Sequence, residues 1–218
     1  MTASTRVLAA YRPRGWAAWV VPFALVAGLA VAVSARLVAT RAALDGIAVG
    51  AAFGLALVGV SAWPARSRLV GQVRSLVRRP HSSQLAIAAA AGVAFGLALV
   101  GLAVLGPALA GVSTAPGIGR PAAPFLSWVG ATILVATAEE VLLRGVLLDR
   151  IQRAGGLVPA VLLTSAVFAL MHVPLYGWHV VPLDFAVGLG LAGVRLTTRG
   201  LIAPVVAHSV ADLATWWL

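Results

Sequence analysis

Residues 85–111 read LAIAAAAGVAFGLALVGLAVLGPALAG, and this stretch decides the fold class of the chain. Over its whole length it contains no charged side chain and no side chain that forms strong hydrogen bonds. A helix needs about 20 consecutive apolar residues to cross the hydrocarbon core of a bilayer. The stretch exceeds that length, so it predicts a membrane-spanning helix.

The composition of the whole chain has the same character. Of its 218 residues, 61% are hydrophobic and 10% are charged, and the mean hydropathy is +1.00. Soluble domains are about 45–50% apolar and about 25% charged, and at this size they bury only about 70% of their surface. This composition excludes a soluble enzyme and a disordered tail, and the lack of cysteine excludes a disulfide scaffold. We therefore predict an all-α, polytopic integral membrane helical bundle.

Seven apolar runs predict about seven transmembrane helices. Alanine and glycine are abundant within them, and small residues let membrane helices approach closely. The first run is too long for the apolar region of a cleaved signal peptide, and no clear cleavage site follows it, so we expect it to be the first span. The runs are 16–35, 42–63, 85–111, 124–148, 157–176, 182–194 and 201–218, of which the sixth is short for a full span.

The net charge of +10 comes from sixteen basic residues, all of them arginine. Such a charge on a soluble chain suggests nucleic acid, but here the arginines lie between apolar runs, so we predict a lipid bilayer and no nucleic acid as the partner. With the N-terminus in the cytoplasm, the arginines follow the positive-inside rule. Arginine without lysine, together with abundant alanine, valine and glycine, favours a bacterial cell membrane. The cytoplasmic set is Arg6, Arg12, Arg14, Arg66, Arg68, Arg74, Arg78, Arg79, Arg150, Arg153, Arg195 and Arg199, and the outer set is Arg36, Arg41 and Arg120.

Ionisable residues within the runs are concentrated in the last four. A loop rich in proline and glycine, 112–121, separates these runs from the first three, so we divide the chain into accessory helices, 1–119, and a part that holds the ionisable residues, 120–218. Each charge in the middle of a membrane costs about 2.5–3.5 kcal/mol unless it is paired. The intramembrane set is Glu139, Glu140, Arg144, His172, His208 and Asp212.

The two glutamates are expected to differ in role. Glu140 and Arg144 are four residues apart and share a helix face, with the acid on the favourable N-terminal side. Glu139 is rotated by about 100° from that face. We therefore predict that Glu140 pairs with Arg144, which leaves Glu139 free to act as a general base. The alternative is that both glutamates share Arg144 as a structural group.

The two histidines have competing interpretations as well. His172 lies one turn after Phe168 and two residues before Pro174, which is expected to end or kink the helix. His208 is four residues before Asp212, which could hold its ring in one tautomer. The alternatives are a hydrogen-bonded packing histidine and a buried pair that locks the last helix.

Together, the acids and imidazoles on three helices predict one convergent site. Depths counted along the helices spread these groups over about 12 Å, which tilted helices or misplaced run ends would have to close. We assign no catalytic role to four polar residues outside this set. We expect His179 and Asp184 to be interfacial, and we assign no role to His81 or Asp45.

The order and the gaps of three motifs resemble the CAAX protease and bacteriocin-processing family, also called the Abi family. The resemblance covers roughly 120–218, and the first three spans carry no motif. The motifs are Glu139-Glu140-x-x-x-Arg144, Phe168-x-x-x-His172 and His208-x-x-x-Asp212.

The resemblance implies a catalytic role for four residues. Glu139 would activate a water molecule, and His172 would help to position it. His208 and Asp212 would stabilise the oxyanion of the tetrahedral intermediate. Position 212 is often asparagine in the family, and an aspartate can donate a hydrogen bond to an oxyanion only when it is protonated.

The resemblance also implies supporting residues and raises the question of a metal. Glu140, Arg144 and Phe168 would support the catalytic groups. Members of the family are described both as metalloproteases and as metal-free glutamate proteases, and the spacing here leaves both open. Two histidines and a carboxylate would satisfy a divalent metal such as zinc, and the candidate ligands are His172, His208 and Glu139.

The function expected from these features is that of an intramembrane endopeptidase. It would hydrolyse a peptide bond in a membrane-associated protein or peptide that reaches the site from the bilayer or from the cytoplasmic side. The alternative is a non-catalytic membrane protein, such as a transporter or an immunity or scaffolding protein, that keeps the motifs as structural pairs. A transporter should show repeat symmetry or paired broken helices, and the sequence shows neither clearly.

Overall fold

The computed structural model describes residues 15–63, 82–109 and 123–217. Within these ranges the chain forms helices and no strand, which confirms the predicted all-α fold. The segment Val141–Leu147 is π-helical and joins two α-helices without a break. The α-helices are α1 (Val20–Arg41), α2 (Gly46–Ala62), α3 (Ser82–Leu109), α4 (Phe125–Glu140), α5 (Leu148–Gly155), α6 (Leu157–Tyr176), α7 (Val181–Thr198) and α8 (Ile202–Ala214).

Four of the described helical segments are long and apolar enough to cross a membrane, and each coincides with a predicted run. Two shorter helices, α2 and α8, are also apolar. The chain is therefore an integral membrane protein built as a helical bundle. The four long segments are Trp16–Arg41, Ser83–Leu105, Leu157–Tyr176 and Trp178–Thr198.

Two helices extend beyond the apolar runs that predicted them. The first run ends at residue 35, but α1 continues to Arg41, so Arg36 lies within the helix rather than in an outer loop. The sixth run ends at residue 194, but α7 continues to Thr198. The reason is that a run ends at its first charged residue, whereas a helix continues while its backbone hydrogen bonds can form and the arginine head can reach water.

Glycines bring the accessory helices into close contact with the motif-bearing helices. The most extensive packing between two helices joins α3 to α8. A Cβ atom on Gly92 would lie 2.6 Å from the carbonyl oxygen of Ala203, and one on Gly96 would lie 2.7 Å from that of Ala207. Only glycine fits at such distances, so the expected tight packing of small residues is present.

Some predictions fall on residues outside the described ranges. These are the arginines that precede the first helix, the arginine-rich segment 65–81 with His81, and the loop 112–121 with Arg120.

Candidate active site

A buried ion pair lies at the start of the π-helical segment. Nη1 of Arg144 is 2.7 Å from Oε1 of Glu140, and both side chains are completely buried. Nη2 of Arg144 donates to the carbonyl oxygen of Gly188 at 3.3 Å, and the guanidinium lies 4.6 Å from the ring centre of Phe168. The predicted pair of Glu140 and Arg144 is therefore formed, and the hydrogen bond of Arg144 to a glutamate goes to Glu140 rather than Glu139. Short π-helical segments often occur at functional sites.

His208 faces three carboxylates. Its Nδ1 is 3.0 Å from Oε1 of Glu140, while its Nε2 is 3.5 Å from Oδ2 of Asp212 and 3.8 Å from Oε2 of Glu139. The Asp212 contact is the one that the four-residue spacing predicts. A ring protonated on both nitrogens can donate to Glu140 and toward Asp212 at the same time.

His172 is held by its Nδ1 atom. This nitrogen donates to the carbonyl oxygen of Phe168 at 2.9 Å and lies 3.3 Å from Oδ2 of Asp184. The Phe168 ring is 4.9 Å from the His172 ring and 5.5 Å from the His208 ring, so it packs against both imidazoles. The proline at residue 174 does not end the helix, because α6 continues to residue 176.

Asp184, which the sequence predicts to be interfacial and without chemistry, also contacts a residue of the site. It lies in the first turn of α7, and its carboxylate approaches His172, which lies near the end of α6. The reason is that the chain reverses at Gly177, where φ is 92°, and a single short turn then leads into α7. This reversal brings the first turn of α7 against the last turns of α6. His179 in the same turn is exposed.

The three motifs border one cavity with a volume of about 680 Å³. Depths counted from the sequence spread the groups over about 12 Å, but the helices bring them together around this space. Glu139, which is 3% exposed, lies in its wall, while Glu140 and Arg144 lie behind the wall. The wall residues that carry the site are Glu139, Phe168, His172, Asp184, His208 and Asp212.

The candidate zinc ligands do not converge. Zinc requires its nitrogen and oxygen ligands at about 2.0–2.2 Å. Among the described residues, no group of three or more His, Asp or Glu side chains is arranged to hold a metal ion. His172 turns its Nδ1 toward Asp184, whereas Glu139 is close to His208. The donor set His172, His208 and Glu139 does not fit a three-ligand site in this arrangement.

Residues 121–214 match the family described as Type II CAAX prenyl endopeptidase Rce1-like. This part of the chain is similar to the Rce1-like family. This family is a protease family, so the match supports the prediction that the chain is a hydrolase. No curated protein and no solved structure matched the chain.

The Rce1-like segment does not build the cavity alone. Arg36 of α1, Gly50 of α2 and Leu99 of α3 also line it, and all three precede the matched residues. Sequence reasoning missed these wall positions, because they carry no motif. Two side-chain contacts were also not predicted from the sequence. One joins Glu140 to His208, and the other joins Asp184 to His172. The available signal was the short separation of Asp184 from His172 along the sequence.

Proposed function

We propose that the chain is an intramembrane endopeptidase in which Glu139 activates the water that attacks a peptide bond. The observation that carries this proposal is the difference between the two adjacent glutamates. Glu140 is used by Arg144 and His208, whereas Glu139 borders the cavity with only a 3.8 Å contact to His208. A buried carboxylate that faces the cavity and is not taken up by a short ion pair is suited to be a general base.

His172 is proposed to position the water. Its Nδ1–H is directed to Phe168 and Asp184, so its Nε2 atom is the nitrogen that can accept a hydrogen bond from water. Asp184 would act as a positioning residue, because a carboxylate on one ring nitrogen fixes the tautomer and the orientation of the ring.

His208 is proposed to stabilise the oxyanion. A protonated Nε2 can donate to the oxygen of the scissile carbonyl as negative charge develops there. Asp212 contacts that same nitrogen at 3.5 Å. An ionised Asp212 would repel an oxyanion, so we propose that it orients His208 rather than donating to the oxyanion itself.

The proposed reaction needs no covalent intermediate. Glu139 takes a proton from water while the water oxygen forms a bond to the carbonyl carbon, and the carbonyl electrons move to the oxygen beside His208. The tetrahedral intermediate then collapses, the carbon–nitrogen bond breaks, and Glu139 returns the proton to the leaving amine. Glu140, Arg144 and Phe168 support this arrangement by fixing both imidazoles and the helix that carries Glu139.

The proposed substrate is a membrane-associated protein or peptide, and the proposed location is a bacterial cell membrane. We propose residues 120–218 as the catalytic core. Residues 1–119 would be accessory helices, although Arg36 and Leu99 show that they also contribute to the cavity wall.

Cleavage of a membrane-peptide library by the purified protein in liposomes tests this function. Wild type, Glu139→Gln and His172→Ala are compared, with His179→Ala as the control because His179 is exposed and outside the cavity wall. We expect wild type and His179→Ala to cleave and the other two to lose cleavage while remaining folded. Unchanged cleavage by Glu139→Gln would refute the site, and loss of cleavage in wild type on addition of a chelator would refute the metal-free reaction.

A further inference from the structure

The cavity lies in one half of the bundle. Its walls come from the last turns of α1, α3, α6 and α8 and from the first turns of α2 and α7, together with α4. α4, the π-helical segment and α5 form one continuous helix, and the other helices alternate in direction, so all of these turns lie at the same end of the bundle. The last residue of α2 and the first residue of α3 lie at the opposite end of the bundle.

The exposure of the polar side chains shows which way the cavity opens. Glu140 is 0% exposed, Glu139 is 3% exposed and His208 is 6% exposed, whereas Asp212 is 40% exposed. Asp212 lies one turn beyond His208 toward the last residue of α8. The opening is therefore at the cavity end of the bundle, beyond Asp212.

The other end of the cavity is closed by a floor in the π-helical segment. Its side chains are buried against α2, α6 and α7, and the ion pair of Glu140 and Arg144 lies among them. A substrate could not enter through this layer without separating the packed helices. The apolar floor residues are Leu142, Leu143, Val146 and Leu147, none of them more than 5% exposed.

The arginines distinguish the two ends of the bundle. Among the described residues, the end behind the floor carries Arg150, Arg153, Arg195 and Arg199, whereas the cavity end carries Arg36 and Arg41. The distribution along the sequence has the same sense, with twelve arginines in the predicted cytoplasmic set and three in the outer set. Arginine-rich connections remain in the cytoplasm when a helical membrane protein is inserted. The floor therefore faces the cytoplasm.

We infer that the cavity opens on the extracytoplasmic side of the membrane, and that its substrate is a polypeptide segment presented at the extracytoplasmic face. This replaces the expectation of entry from the cytoplasmic side, which did not take into account the buried floor. A lipid-modified tail in the cytoplasm would have no path to Glu139. The substrate class rests on the proposed protease function, whereas the direction of the opening does not.

Labelling of single cysteines tests the direction, since the natural chain contains no cysteine. Leu44, 60% exposed between α1 and α2, marks the cavity end. Gln152, an exposed residue of α5, marks the floor end. In intact bacterial cells treated with a membrane-impermeant maleimide, we expect Leu44→Cys to be labelled and Gln152→Cys to be labelled only after permeabilisation. Labelling of Gln152→Cys in intact cells, or protection of Leu44→Cys, would overturn the inference.

A second measurement tests the side of the membrane from which the substrate reaches the cavity. The wild-type protein is assayed in right-side-out and in inverted membrane vesicles with an internally quenched, membrane-impermeant peptide chosen from the library. We expect hydrolysis in right-side-out vesicles, and hydrolysis confined to inverted vesicles would overturn the inference. If the two cysteines are labelled as predicted but neither vesicle preparation hydrolyses the peptide, the proposed protease function is contradicted. The direction of the opening is still established in that case.

Discussion

The contact between α3 and α8 makes a specific prediction for Gly96. A Cβ atom at this position would lie 2.7 Å from the carbonyl oxygen of Ala207 and 2.7 Å from Cβ of Val210. Carbon atoms pack favourably at about 3.5–4.0 Å. In Gly96→Ala the two helices must therefore separate by roughly 0.8–1.3 Å. Ala207 immediately precedes His208, so this shift displaces the imidazole as well.

Two consequences follow for Gly96→Ala. Overpacking of this kind costs about 1–3 kcal/mol, so the free energy of unfolding should fall by that amount. A displacement of about 1 Å in a catalytic group can reduce the rate about 100-fold, so peptide cleavage should fall by up to that factor.

Gly101→Ala is the matched control on the same helix, because a Cβ atom there would meet no atom within 4 Å. Alanine favours a helix over glycine by about 1 kcal/mol, so this variant should be as stable as wild type or more stable. Thermal denaturation in detergent, followed by circular dichroism, measures the difference. If Gly96→Ala and Gly101→Ala denature together, the close packing of α3 on α8 is refuted.

Two further substitutions separate structural roles from positioning roles. Glu140→Gln leaves the Arg144 charge buried without its carboxylate, so the free energy of unfolding should fall by about 3–5 kcal/mol; an unchanged denaturation midpoint would contradict this. Asp184→Asn should lower kcat about 10–100-fold with little change in KM, because it removes the charge that holds His172. Asp45→Asn is its control, since Asp45 lines the same cavity but caps α2, and asparagine caps as well as aspartate. Equal kcat values for these two variants would refute the positioning role of Asp184.

The parts of the site that the sequence predicts are the local ones. Glu140 and Arg144 pair because residues four apart face each other on a helix, and His208 meets Asp212 for the same reason. The link from Glu140 to His208 joins residues 68 positions apart. No periodicity encodes such a contact, because it depends on how α8 packs against α4.

Depth along the membrane was the least predictable quantity. The sequence-based depths assume that the fourth helix is centred near residue 137, within an apolar run that ends at 148. The observed helix continues through the π-helical segment to Gly155. Its polar last turns contain Asp149 and Arg153, so hydropathy places the end of the helix too early. Composition, by contrast, was sufficient for the fold class, because so apolar a chain has few alternatives to a membrane helical bundle.

The central claim is that Glu139 is the base that activates water, and one rate comparison tests it most directly. The cleavage rate of Glu139→Gln is measured against wild type on the peptide that wild type hydrolyses best, with both proteins shown to be folded by their denaturation midpoints. Glutamine keeps the shape of glutamate but cannot take the proton, and general base catalysis contributes about 10²–10⁴-fold. We predict a loss of at least about 100-fold at an unchanged midpoint. A rate within about tenfold of wild type would contradict the assignment of Glu139 and the mechanism built on it.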